Sequence, residues 1–99
     1  MHIHNVYFWL KEDLGDKAAF KFEEGLLALV NDPNVESGYY GKPADTLRDV
    51  VENSYTYGLV LVFEDKAGHD DYQKGAAHRR FLEENQEKWE RVLVFDIDS

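Results

Sequence analysis

Residues 54–63 read SYTYGLVLVF, a run of β-branched, aromatic and aliphatic side chains broken only by Gly58. Tyr55, Tyr57, Leu59, Leu61 and Phe63 alternate onto one side, while Val60 and Val62 fall on the other, so the run reads as a strand that is apolar on both faces. An antiparallel strand with one solvated face alternates apolar with polar, and this one does not. The sheet it belongs to must therefore be covered on both sides.

Working outward, three more segments read as strands. Residues 2–10 (HIHNVYFWL) put Val6 and Phe8 on one side with His2 and His4, and Ile3, Tyr7 and Trp9 on the other with Asn5. Residues 35–41 (VESGYYG) form a weaker, glycine-containing strand, and residues 91–97 (RVLVFDI) a final one. Between the first two lies a helical stripe at Ala19, Phe22, Leu26, Leu29 and Val30, with Asp13 or Asp16 as its expected cap and Asn31-Asp32-Pro33-Asn34 as its stop. Residues 42–53 are polar, include Pro43, and are expected to form a mobile loop with a short helical turn near Leu47 to Val51. Asp65 to Lys74 reads as a short helix, Gly75 interrupts it, and Ala76 to Trp89 reads as a second segment.

The order is βαββαβ with a broken second helix, and residues 1–99 are read as one domain. It favours a ferredoxin-like α+β fold, with an antiparallel sheet and its helices on one face. No helix is left for the other face, so a second copy packed sheet against sheet, a symmetric homodimer, is the expected cover.

Composition narrows the function classes. The chain is 43% hydrophobic with 14% aromatic residues, enough for a packed core. A formal charge of −9, with eleven basic residues scattered among twenty acidic ones, argues against nucleic acid or an anionic membrane as a partner. There is no cysteine, which removes thiolate metal sites and thiol nucleophiles. The start, MHIHNVYFWLKED, has neither the basic lead nor the length of a signal peptide or membrane span. A cytoplasmic location is expected.

The candidate chemistry centres on His78. With Phe81, Leu82, Asn85 and Trp89 it recurs at i, i+3, i+4, i+7 and i+11, so an ionisable group sits on an apolar helix stripe. Tyr72 lies six residues earlier, about 120° away in an unbroken helix, but a break at Gly75 can re-aim both side chains into one cavity. Asp96 shares a strand face with Val92 and Val94, and such a carboxylate needs a partner, for which His78 is the expected choice. A histidine base, an aspartate fixing its tautomer and a tyrosine holding an oxyanion make a proton-transfer set. A histidine–aspartate pair that merely satisfies two core groups is the competing reading.

No serine or cysteine nucleophile sits in a recognisable elbow. His2 and His4 alternate on one strand face, but two histidines without a third convergent ligand are a weak basis for a metal, and none is expected. His2 reads as a frayed terminal residue, His4 as a pocket wall, and His69, between Gly68 and Asp70, as solvent-exposed. Glu23-Glu24 and Glu83-Glu84 read as solvated helix faces, and Tyr39-Tyr40 as sheet surface or dimer contact.

With HNVYF at the first strand, DYQKGAAH before the last helix, and WERVLVFDID at the end, the chain resembles the stress-responsive dimeric α/β-barrel (Dabb) family along nearly its whole length. In the family pattern Y-x-x-H-P-x-H, Tyr72 and His78 match, while Gly75 and Ala76 replace the first histidine and the proline. The resemblance implies a ferredoxin-like subunit whose sheet pairs with that of a second copy. One branch, the plant polyketide cyclases, performs an aldol-type ring closure without cofactor. Its tyrosine, histidine and strand aspartate map by motif to Tyr72, His78 and Asp96, and its strand-one histidine to His4. The implied pocket lies between sheet and helices, lined by His4, Val6, Phe8, Phe22, Leu26, Leu59, Phe81 and Trp89. Two functions follow: a dimeric domain binding a small apolar or aromatic metabolite, or a cofactor-independent cyclase-like enzyme using the same pocket.

Overall fold

A computed structural model describes all residues, 1–99, as the order β1 (His2–Leu10), α1 (Asp16–Val30), β2 (Ser37–Gly41), β3 (Tyr57–Phe63), α2 (Lys66–Lys74), α3 (Ala76–Asn85), a 3₁₀ turn (Gln86–Lys88) and β4 (Trp89–Asp98). The four strands form one antiparallel sheet in the order β2-β3-β1-β4. This is the expected ferredoxin-like arrangement, and its central strands are the two with the longest apolar runs.

Register decides which residues share the covered face. His4, Val6 and Phe8 of β1 stand opposite Leu61, Leu59 and Tyr57 of β3, and opposite Asp96, Val94 and Val92 of β4. The β1 and β3 members of that set are buried against Phe22, Leu26 and Leu29 of α1, Tyr72 of α2 and Phe81 of α3. The other face carries Ile3, Tyr7 and Trp9 of β1, Val60 and Val62 of β3, and Phe95 and Ile97 of β4. No helix covers it. Tyr55, which lies before β3 rather than in it, packs on Tyr7 and Trp9 with ring centroids 5.0 and 6.3 Å away, and so shields one end of this face instead of joining Tyr57 in the core. Tyr39, Phe95 and Ile97 are 68%, 56% and 50% exposed. The double-sided apolar pattern of 54–63 is thus half used by the subunit's own core.

Several local expectations shift. Neither Asp13 nor Asp16 caps α1: Gly15 is the N-cap and Asp16 is the first helical residue, placing its carboxylate in the first turn. Asp65 does cap α2, accepting from the Gly68 amide at 2.9 Å. Gly75 separates α2 from α3 in an extended conformation (φ −74°, ψ 164°). α3 ends at Asn85, and Trp89 opens β4, although its indole still packs on Phe8 and Phe81. Residues 42–53 form no regular element beyond a turn, leaving Leu47 and Val50 exposed.

Gly25 marks the closest approach of α1 to α3. A Cβ there would meet Asn85 Nδ2 and Phe81 Cδ1, both at 2.9 Å. The buried Asn85 donates to the Phe81 carbonyl at 3.2 Å and accepts from Lys88 Nζ at 2.8 Å, while Lys88 also donates to the Ala18 carbonyl at 3.2 Å. Burial pushes the Lys88 ammonium below its ordinary range.

Candidate functional site

The break at Gly75 brings Tyr72 and His78 together, their ring centroids 5.1 Å apart at 69°. His4 approaches Tyr72 from the sheet, with ring centroids 6.3 Å apart. All three line a pocket of about 270 Å³ between α3 and the β1–β4 side of the sheet. Ten of its 14 lining residues are hydrophobic, with His4, Gln73, His78 and Gln86 as the polar ones, so it suits an apolar ligand with few polar groups. Val6, Phe8, Leu59, Phe81 and Trp89 line it. Phe22 and Leu26 do not: both are fully buried under the sheet and belong to the filled core. Val92 and Val94 complete the wall because β4 is an edge strand that the helices leave uncovered.

Asp96 does not pair with His78. Its Oδ1 accepts from His4 Nδ1 at 2.6 Å and lies 3.3 Å from His2 Nε2. The cause is register, since His4 and Asp96 are direct cross-strand partners and a helix residue cannot compete with a neighbour so placed. Burial raises the Asp96 carboxyl, but the His4 hydrogen bond and the nearby His4, His2 and His69 charges outweigh it and hold the group below the usual range. His4 is thereby the imidazole whose orientation a carboxylate fixes.

His78 keeps another character. Partial burial, reinforced by the charges of His4 and His69, lowers its pKa, so the imidazole is neutral at pH 7. Burial and the Asp32 carboxylate push the Tyr72 hydroxyl well above its ordinary value, so it remains a proton donor. A neutral imidazole beside a protonated phenol is suited to take a proton and stabilise the resulting oxyanion.

His69 reverses its expectation: it is buried, at 7% exposure, because it shares the inner face of α2 with Tyr72 at i, i+3. His2 is a strand residue with a largely buried side chain rather than a frayed end. Glu23 is half-buried and accepts from the Tyr57 hydroxyl at 2.8 Å, which with burial pushes that phenol up to about 12. Glu83 and Glu84 are exposed as expected. A larger groove of about 890 Å³ runs between α1 and α3, but only two of its 13 lining residues are hydrophobic, and it is a solvated charged channel.

The model of the stress responsive A/B barrel domain matches residues 3–99, and the chain belongs to this Dabb family. No curated protein matches it. Among solved structures, a protein from Arabidopsis thaliana aligns over 100% of this chain and 95% of its own, at TM-score 0.82 and 22% identity. A dimeric ferredoxin-like protein of unknown function from Thermobifida fusca aligns over 99% and 90%, at TM-score 0.79 and 15% identity. A hydroxynitrile lyase from Passiflora edulis aligns over 97% and 90%, at TM-score 0.79 and 18% identity. At these identities the likeness is one of fold.

Proposed function

We propose that this Dabb protein acts as a homodimer that binds a small apolar or aromatic carbonyl compound in the pocket between α3 and the β1–β4 side of the sheet. The observation that carries the reading is the pocket itself, a largely apolar chamber of about 270 Å³ lined by His4, Tyr72 and His78 together with the polar Gln73 and Gln86. One aromatic ring with a short substituent fits that volume, and a carbonyl oxygen would meet the Tyr72 hydroxyl. Dimerisation rests on the bare apolar sheet face and on the dimeric state of the Thermobifida fusca relative.

Titration with acetophenone and benzaldehyde, followed by thermal shift and amide chemical shifts, tests the binding. Saturation at 100 times the Kd raises stability by about 2.7 kcal/mol. Val94→Trp, placed at the solvent-exposed pocket wall, is expected to abolish the shift. If neither compound perturbs pocket amides, or if Val94→Trp binds them unchanged, the reading fails.

A second reading, cofactor-independent proton transfer of the cyclase or lyase kind, is favoured by the neutral state of His78 beside the protonated Tyr72. His78 removes a proton next to the bound carbonyl, and Tyr72 donates a hydrogen bond to the enolate oxygen. His4, held by Asp96, closes the polar end of the pocket. The lyase activity of the Passiflora edulis relative supports a catalytic use of this fold. His78→Ala and Tyr72→Phe are expected to bind acetophenone but lose exchange of its methyl α-protons for deuterium, a loss of about 10²-fold or more. Equal exchange in the wild type and both variants would rule this reading out.

A further inference from the structure

His2 and His4 from β1, His69 from α2 and Asp96 from β4 each present one ring nitrogen or carboxylate oxygen to a common point, with these atoms all within 4.8 Å of one another. Three separate elements, far apart in sequence, supply the set. Two of its nitrogens are also in deficit: His69 Nε2 and His2 Nε2 are buried and make no hydrogen bond, the latter with the Asp96 carboxylate 3.3 Å away. A buried imidazole nitrogen without a partner costs stability, and the fold holds two of them side by side.

We infer that this cluster is a binding site for one divalent first-row transition metal ion, of which Zn²⁺ is the natural probe, ligated by His2, His4, His69 and Asp96. Three imidazoles and one carboxylate are the donors that borderline metals of this kind select, and magnesium or calcium would call for oxygen ligands instead. Zinc–ligand bonds near 2.0–2.1 Å place tetrahedral ligand atoms about 3.4 Å apart. The widest pairs, up to 4.8 Å, must close, His2 Nε2 and Asp96 Oδ1 at 3.3 Å already stand at that spacing, and His4 Nδ1 and Asp96 Oδ1 at 2.6 Å must open as their hydrogen bond is given up. Contraction is a matter of ring rotation, since the rings already lie within contact, His2 to His69 at 4.2 Å and His4 to His69 at 4.7 Å between centroids.

The surroundings match a metal centre. His69 Nδ1 lies 3.4 Å from Asp70 Oδ1, and Asp70 is itself held by Lys66 at 2.7 Å, a carboxylate behind a ligating histidine. A cleft of about 290 Å³ adjoins the cluster at His2 and Asp96; Asp65, Asp98, Lys66, Ile97 and the N-terminal Met1 complete its lining, so it offers a path from solvent with charges of both signs. Once bound, the ion would tie β1, β4 and α2 together at the end of the sheet, next to the pocket wall formed by His4. The alternative is that the rings simply stack, with their free nitrogens left unpaired.

The test uses the full-length protein after chelator treatment. Zn²⁺ titrated calorimetrically is expected to bind at one ion per chain and to raise the melting temperature. In ¹⁵N-resolved imidazole spectra of the wild type, the signals of His2, His4 and His69 should move on binding while that of His78 stays. His69→Ala and His2→Ala should each weaken Zn²⁺ binding by about tenfold or more, and Asp70→Asn by about tenfold. Absence of binding at millimolar Zn²⁺, or binding that leaves the His2 and His69 resonances unmoved, overturns the proposal. The imidazole spectra decide the question even if a histidine variant fails to fold.

Discussion

At the scale of single residues, His78 and Asp96 titrate in separate windows. His78 is depressed in the fold by burial and by His4 and His69, with Asp32 and a hydrogen bond involving the Gln73 backbone only partly offsetting this. The unfolded chain therefore binds the proton more readily, so stability is full above the unfolded pKa of about 6.5 and falls as pH drops below it. Asp96 is depressed too, but as an acid: its stabilisation is present above its ordinary value of 3.8 and is lost only as pH falls through the lowered folded value. Urea midpoints of the chelated protein measured at about pH 7.5, 5 and 2.5 should fall in two stages. His69 is lowered by burial in the same window, so His78→Phe should reduce the first stage without removing it, and an unchanged slope in that variant would show that His78 does not contribute.

At the scale of elements, the α1–α3 crossing is the least forgiving contact. Glycine within a helix is unfavourable by itself, yet at Gly25 a methyl group would sit 2.9 Å from both Phe81 and Asn85. Gly25→Ala gains helix propensity and still should lose about 1–3 kcal/mol through overpacking, read as a lower urea midpoint. Lys88→Ala strips the buried Asn85 carbonyl and the Ala18 carbonyl of a shared donor and should cost a similar amount, about 1–3 kcal/mol. Lys88→Met, which keeps the packed stem, should recover part of that loss if the aliphatic chain matters, and none if only the ammonium does. Exposed ion pairs such as Lys66–Asp70 and Arg80–Glu84 are i, i+4 surface contacts, and their removal should change stability by about 0.5 kcal/mol or less.

At the scale of the whole molecule, the open face of the sheet is the surface through which the proposed dimer would form. Phe95 and Ile97 on the edge strand and Tyr39 on the opposite edge stand out of a surface that also bears Tyr7, Trp9, Val60 and Val62. Sedimentation velocity should find a dimer at micromolar concentration, and Phe95→Glu should shift it to a monomer by placing a charge within an apolar contact. A wild-type monomer across that range would leave the exposed face without the partner assigned to it. Burial of this face on association would also raise the subunit's stability with protein concentration.

Strand and helix identities were legible in the chain because each follows from local periodicity: alternation in 54–63 and 2–10, the 3.6-residue stripe through Phe22, Leu26 and Leu29, and the break at Gly75. The two-faced strands also announced an uncovered sheet surface. Polar pairings were not legible, because they depend on which strands become neighbours and in what register. His78 and Asp96 looked complementary as types, yet β1 runs beside β4 and sets His4 directly opposite Asp96. His69 carried a readable sign, its i, i+3 relation to Tyr72 on one helix face, but its flanking Gly68 and Asp70 suggested a solvated turn. The sequence by itself determined the elements, their order and the apolar character of both sheet faces, since these are properties of neighbours along the chain. Only the tertiary structure decided that His2, His4, His69 and Asp96 meet, because their convergence depends on packing one helix across the ends of two hydrogen-bonded strands.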